Sequence, residues 1–69
     1  MKLIGAQLKE YRISKKLVLQ DISNDLNISL NILKAIESDE YDKTPGGVFT
    51  LGYIRSYAKY LNLDEDAVI

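Results

Sequence analysis

The chain has 69 residues, contains neither cysteine nor histidine, and carries 9 basic against 10 acidic side chains. This length fits one small domain, and the missing residue types exclude disulfides, thiol and Ser-His hydrolases, and any zinc site not made of carboxylates. With 46% hydrophobic and 28% charged residues, the composition is that of a soluble globular domain. The sequence predicts no catalytic residue, no metal, no cofactor and no small-molecule substrate.

Charge is distributed unevenly along the chain. Residues 1–20 carry five cations and one carboxylate, whereas residues 21–42 carry one lysine and six carboxylates. A nucleic-acid binder usually presents a basic face, which the total charge does not favour. The first helix is therefore expected to be basic and the middle of the chain acidic.

The first predicted helix covers residues 4–16, where Ile4, Leu8 and Tyr11 recur at helical spacing among charged residues. A second helix follows from the same spacing of Leu19, Ile22 and Leu26. We expect all of these apolar side chains to face the core.

Asn27 is predicted to close the second helix, because asparagine tolerates a left-handed backbone. Ser29 then starts a third helix as its N-cap, with Leu33 and Ile36 pointing inward. The small Ser23 lies where the second and third helices must pack closely. Two short helices joined by a tight turn, over about residues 19–38, indicate a helix-turn-helix.

Pro45-Gly46-Gly47 interrupts the pattern, and a fourth helix is predicted over about residues 48–61. Asp64 is predicted to cap a short, acidic fifth helix. The expected fold is thus an all-α, five-helix bundle that contains a helix-turn-helix.

The fourth helix has two apolar stripes. One is aromatic, with spacings of four, four and three residues, and consists of Phe49, Tyr53, Tyr57 and Tyr60. The other is mainly aliphatic and consists of Leu51, Ile54, Ala58 and Leu61. One stripe can pack on the core and leave the other for a partner protein, because tyrosine is suited to interfaces. In the alternative interpretation, the tyrosine rings complete the core and expose only their hydroxyls.

Two further sets of residues carry expectations. Arg12 and Glu37 are predicted to form a structural ion pair between the first and third helices. Asn31 and Lys34 are the outward residues of the third helix that can hydrogen-bond to DNA bases, although the acidic residues downstream would repel phosphate. DNA binding is therefore possible but disfavoured.

The sequence resembles the cytoplasmic N-terminal domain of the RodZ family over essentially its whole length. The resemblance lies in Ile4-Gly5, in Leu33-Lys34-Ala35-Ile36-Glu37, and above all in the segment from Pro45 to Leu61 with its Gly-Tyr-Ile-Arg-Ser-Tyr-Ala-Lys-Tyr-Leu run. It implies a lambda-repressor-like fold at the inner face of the cell membrane, as the N-terminal part of a longer protein whose membrane span lies outside this chain. Val18 lies before the second helix, at a position where family members commonly have Ser or Thr.

The resemblance also implies a function, as a cytoskeleton adaptor that binds the actin-like filament protein MreB and couples it to the membrane for cell-shape maintenance. The family's contact aromatics fall on Phe49 and Tyr53, with Tyr57 nearby. The expected interaction surface also includes Tyr60, with Arg55 or Lys59 pairing with acidic residues of the partner. The alternative function is that of a sequence-specific DNA-binding regulator that uses the third helix.

Overall fold

The computed structural model describes residues 4–63, which form four α-helices and one 3₁₀ turn. The helices are α1 (Ile4–Ser14), α2 (Leu19–Leu26), α3 (Leu30–Glu37) and α4 (Gly47–Tyr60), and the 3₁₀ turn covers Tyr41–Lys43. The predicted all-α class with a helix-turn-helix is confirmed. The described residues contain four α-helices rather than five, and the helix predicted from Asp64 onward lies outside them.

Each of the four helices in this part of the chain is followed by a residue with left-handed backbone, and none of these residues is a glycine. Their φ angles lie between 55° and 61°, and they are Lys16, Asn27, Asp39 and Asn62. After α2, the N–H of Ile28 donates to the Ser23 carbonyl at 3.2 Å, and the corresponding bonds at the other three helix ends measure 2.8 to 3.1 Å. This six-residue closure is the Schellman motif. It confirms Asn27 as the turn residue, and it ends α1 two residues before the predicted boundary.

The N-caps of α2 and α3 do not use side chains. Ser29 occupies the predicted N-cap position of α3, but its hydroxyl makes no capping bond. Val18 has an extended backbone before α2 and provides no side-chain cap, because valine has no side-chain hydrogen-bond acceptor. The hydroxyl of Ser23 instead donates to the Ile28 carbonyl at 2.5 Å, which ties α2 to the turn.

The core draws on all four helices. Its largest fully buried side chains are Leu8, Ile22, Leu33, Ile36, Tyr57 and Leu61. Tyr11 was predicted to face this core but is exposed. In α1 the row Ile4, Leu8 and Arg12 faces α3, because residues four apart share one side of a helix, and Tyr11 lies beside that row.

The N-terminal end of α1 meets the C-terminal end of α3 at a buried glycine. A Cβ at Gly5 would lie 1.8 Å from the carbonyl oxygen of Ile36. The N–H groups of Gly5 and Ala6 donate to the two carboxylate oxygens of Asp39 at 2.8 and 3.2 Å. Asp39 therefore caps α1 from another part of the chain, where the helix dipole favours a negative charge.

Candidate functional site

The start of α4 is fixed by its backbone and by a buried threonine. Gly46 and Gly47 both have positive φ, at 82° and 56°. The hydroxyl of Thr50 accepts the N–H of Gly46 at 2.8 Å and shares a hydrogen bond with the Thr44 hydroxyl at 2.8 Å. These contacts hold the first turn of α4 so that the side opposite Thr50 faces solvent.

Two large apolar side chains lie on that solvent-facing side. Val48 is 78% exposed and Phe49 is 64% exposed. Together with Gly52, Tyr53 and Ser56 they form one wall of an open groove of about 320 Å³, whose other wall is the α2–α3 turn at Leu26, Asn27 and Ile28. We call this feature the α4 groove. Its lining contains no charged residue.

The aromatic stripe of α4 is divided between surface and core. Tyr57, predicted to contact a partner, is 0% exposed and belongs to the core, so this prediction is wrong. Residues four apart differ by about 40° around a helix axis, so Phe49 and Tyr57 differ by about 80°. That drift carries the stripe from solvent into the core, with the half-buried Tyr53 between its two ends.

Tyr60 connects α4 with α2. Its side chain is half-buried, and its hydroxyl donates to Asp25 Oδ2 at 2.6 Å. This hydrogen bond to Asp25 raises the pKa of Tyr60 above its ordinary value. Tyr60 was predicted to belong to the interaction surface, but its hydroxyl is engaged within the chain.

Arg12 and Glu37 form the ion pair expected from the sequence. Arg12 Nε donates to Glu37 Oε2 at 2.7 Å, Nη2 donates to Oε1 at 3.2 Å, and Nη1 donates to the Leu17 carbonyl at 2.9 Å. The Tyr57 hydroxyl donates to the same carboxylate. Hydrogen bonding to Glu37 raises the pKa of Arg12, while burial, followed by the Glu37 contact, raises the pKa of Tyr57.

The role of Tyr57 in this network was missed at the level of sequence. Glu37 is buried, and its carboxylate joins α1, α3 and α4 through Arg12 and Tyr57. The signal available in the sequence was the position of Tyr57 next to the buried stripe at Ile54, Ala58 and Leu61. The network supports the fold and leaves the opposite face of α4 free.

Arg55 and Lys59 lie on the exposed side of α4. Relative to Gly52 they are about 60° and 20° around the helix axis. Within residues 4–63, neither makes an ion pair. Both cations are therefore available at the side of the α4 groove.

The outward face of α3 presents Asn31 and Lys34, which are both exposed as predicted. Ala35, the residue after Lys34, is buried. Asn31 and Lys34 share a second groove with Glu40 and Lys43, and the last two form an ion pair at 2.8 Å. Its lining contains two lysines and one glutamate, and because Glu40 pairs with Lys43, Lys34 is the lysine of this groove without that pairing.

Among residues 4–63, no helix combines the length and the apolar character needed to cross a bilayer. Comparison with protein families matches residues 7–68 to the family described as "Helix-turn-helix domain".

Among curated proteins, the chain is 32% identical over 68 residues to the cytoskeleton protein RodZ of Streptococcus pneumoniae. The aligned segment covers 99% of this chain and 25% of that protein. It is also 32% identical over 62 residues to an uncharacterized protein of Haemophilus influenzae. That aligned segment covers 88% of this chain and 20% of the relative. The chain thus spans a quarter or less of the length of these relatives. No solved structure matches it.

Proposed function

The chain belongs to the RodZ family of helix-turn-helix domains, and from this premise we propose that it is a cytoskeletal adaptor module that binds the actin-like protein MreB through α4. The observation that carries the proposal is the exposure of Val48 and Phe49 at the start of this helix. Neither side chain belongs to the core or packs against it. Burying them against a partner would remove apolar area from water, which is favourable by about 25 cal/mol per Å² of buried area.

Phe49 is the proposed anchor of the interface. Its side chain is 64% exposed, whereas the half-buried Tyr53 packs against the core. An aromatic side chain has only two rotatable torsions, so burying the Phe49 ring against a partner costs little side-chain entropy for the area it covers. Tyr57 takes no part in binding and acts through the fold.

Arg55 and Lys59 supply the electrostatic part of the proposed interface. Both lack an ion-pair partner within residues 4–63 and lie beside the α4 groove. Carboxylates at the rim of the partner surface would pair with them, raise the association rate and fix the orientation. Coupling of the filament to the membrane would depend on the span that the family resemblance implies outside this chain.

The proposal is tested by titrating purified MreB with the wild-type domain and with the Phe49→Ala and Tyr53→Ala variants. A hot-spot aromatic is worth about 2 kcal/mol or more, which is roughly a 30-fold loss of affinity. We expect at least that loss for Phe49→Ala and a smaller one for Tyr53→Ala.

Tyr11→Ala is the matched control, because it removes an exposed aromatic from α1. Thermal denaturation of each variant separates lost binding from lost folding. If folded Phe49→Ala and Tyr53→Ala bind MreB like the wild type, the proposal is wrong.

A second candidate function is DNA binding by α3, which the helix-turn-helix and the exposed Asn31 and Lys34 favour. It is the weaker candidate because Glu40 shares their groove and pairs with Lys43. Specific binding of a duplex that persists at physiological salt and is lost in Asn31→Ala or Lys34→Ala would establish it.

A further inference from the structure

The exposed face of α4 contains a glycine that the fold does not require. Gly52 lies in the interior of Gly47–Tyr60, and its φ is not positive. A Cβ added at this position would meet no atom within 4 Å. Glycine destabilises a helix interior relative to alanine. The domain thus carries a residue unfavourable to its own stability where alanine would fit.

Gly52 lies in the wall of the α4 groove that α4 forms. Val48 and Phe49 precede it by one helical turn, and Ser56 follows it by one turn on the same side. Ile28 stands on the opposite wall, in the α2–α3 turn. Because Gly52 has no side chain, the backbone of α4 is open here to close approach by a group that enters the groove.

The chemistry of the groove selects its occupant. The lining is uncharged and largely apolar, so the part of an occupant that enters the groove is apolar. Arg55 and Lys59 are exposed on the same side of the helix and are without ion-pair partners in the described part of the chain. An apolar group with negative charge beside it therefore matches this surface, and a protein side chain flanked by carboxylates has that character.

We infer that Gly52 is a specificity-determining position, where an apolar side chain of the partner protein packs against the bare backbone of α4 while neighbouring carboxylates pair with Arg55 and Lys59. This inference rests on the proposed function, because it describes how the same partner is recognised. Glycine at this position lowers the stability of the domain but lets the partner's side chain reach the backbone of α4.

The test compares stability with affinity in the Gly52→Ala and Gly52→Leu variants, with purified MreB as the probe. Gly52→Ala should raise the melting temperature by about 2 to 8 °C, because it improves helix propensity without a clash. The same variant should weaken MreB binding about tenfold or more, and Gly52→Leu should weaken it further. Lys9→Ala, on the exposed surface of α1, is the control and should change neither quantity appreciably.

The outcomes separate this inference from the proposal on which it rests. If Gly52→Ala and Gly52→Leu bind like the wild type while Phe49→Ala does not, the role of Gly52 is refuted and the α4 interface stands. If folded Phe49→Ala and Tyr53→Ala also bind like the wild type, both are refuted. A lower melting temperature for Gly52→Ala would show that the fold needs the glycine, which also overturns the inference. Should Gly52→Leu fail to fold, the alanine variant alone decides.

Discussion

The buried network around Glu37 allows a quantitative test of what holds the domain together. The side chains of Arg12 and Glu37 are only 16% and 6% exposed, and Arg12 makes two hydrogen bonds to the carboxylate and one to the Leu17 carbonyl. The substitution Arg12→Ala removes all three. It leaves a buried carboxylate with the Tyr57 hydroxyl as its remaining donor.

The expected loss is large relative to the stability of so small a domain. Removing one partner of a buried ion pair costs about 3 to 5 kcal/mol. At about 0.05 to 0.15 kcal/mol per residue, a chain of 69 residues has a free energy of unfolding of about 3 to 10 kcal/mol. Arg12→Ala should therefore remove about a third of the stability or more. Arg12→Lys keeps the charge but loses the bidentate geometry, so its free energy of unfolding should lie between those of the wild type and Arg12→Ala.

Urea denaturation followed by far-UV circular dichroism measures these differences. Lys9→Ala serves as the control, because it removes one positive charge from an exposed position of the same helix. A loss of less than about 1 kcal/mol for Arg12→Ala would refute the reasoning, since it would mean that the carboxylate of Glu37 is satisfied without Arg12.

Three further predictions concern the junction of α1 with α3 and the buried tyrosine. Gly5→Ala should cost about 1 to 3 kcal/mol in urea denaturation, because its Cβ would overlap the Ile36 carbonyl oxygen. Asp39→Ala should cost about 0.5 to 2 kcal/mol, since α1 loses its cap, and amide hydrogen exchange should increase at Gly5. The raised pKa of Tyr57 means that the folded state holds this proton more tightly than the unfolded state, so stability should fall as pH rises above about 10. Urea midpoints measured between about pH 8 and pH 12 should show a shallower fall for Tyr57→Phe, and an unchanged slope would contradict the assignment.

The local elements of the fold were predictable from sequence because each depends on neighbouring residues. Helical spacing located the four helices that the structure describes, and the left-handed preference of asparagine located the turn at Asn27. The same preference was not expected of Lys16, which takes φ of 58° and ends α1 early. There the backbone hydrogen bonds of the Schellman motif outweigh the residue's own preference.

The candidate site was predictable only in part. Sequence periodicity placed Phe49 and Tyr53 on α4, and the structure leaves the first exposed and the second half-buried. The same periodicity assigned Tyr57 to this surface, where the structure instead buries it. A spacing of four residues fixes neighbours along a helix, but the slow rotation of the stripe decides its exposure only once another helix packs against it.

By itself, the sequence determined the helix content, the helix-turn-helix and the residue types available for binding, because these follow from propensity and periodicity over a few residues. Only the tertiary structure decided which aromatic rings face solvent, that Asp39 caps α1, and that Gly52 and Ile28 line the same groove. Those features depend on contacts between residues distant in sequence. Their geometry arises when close packing fixes the helices against one another.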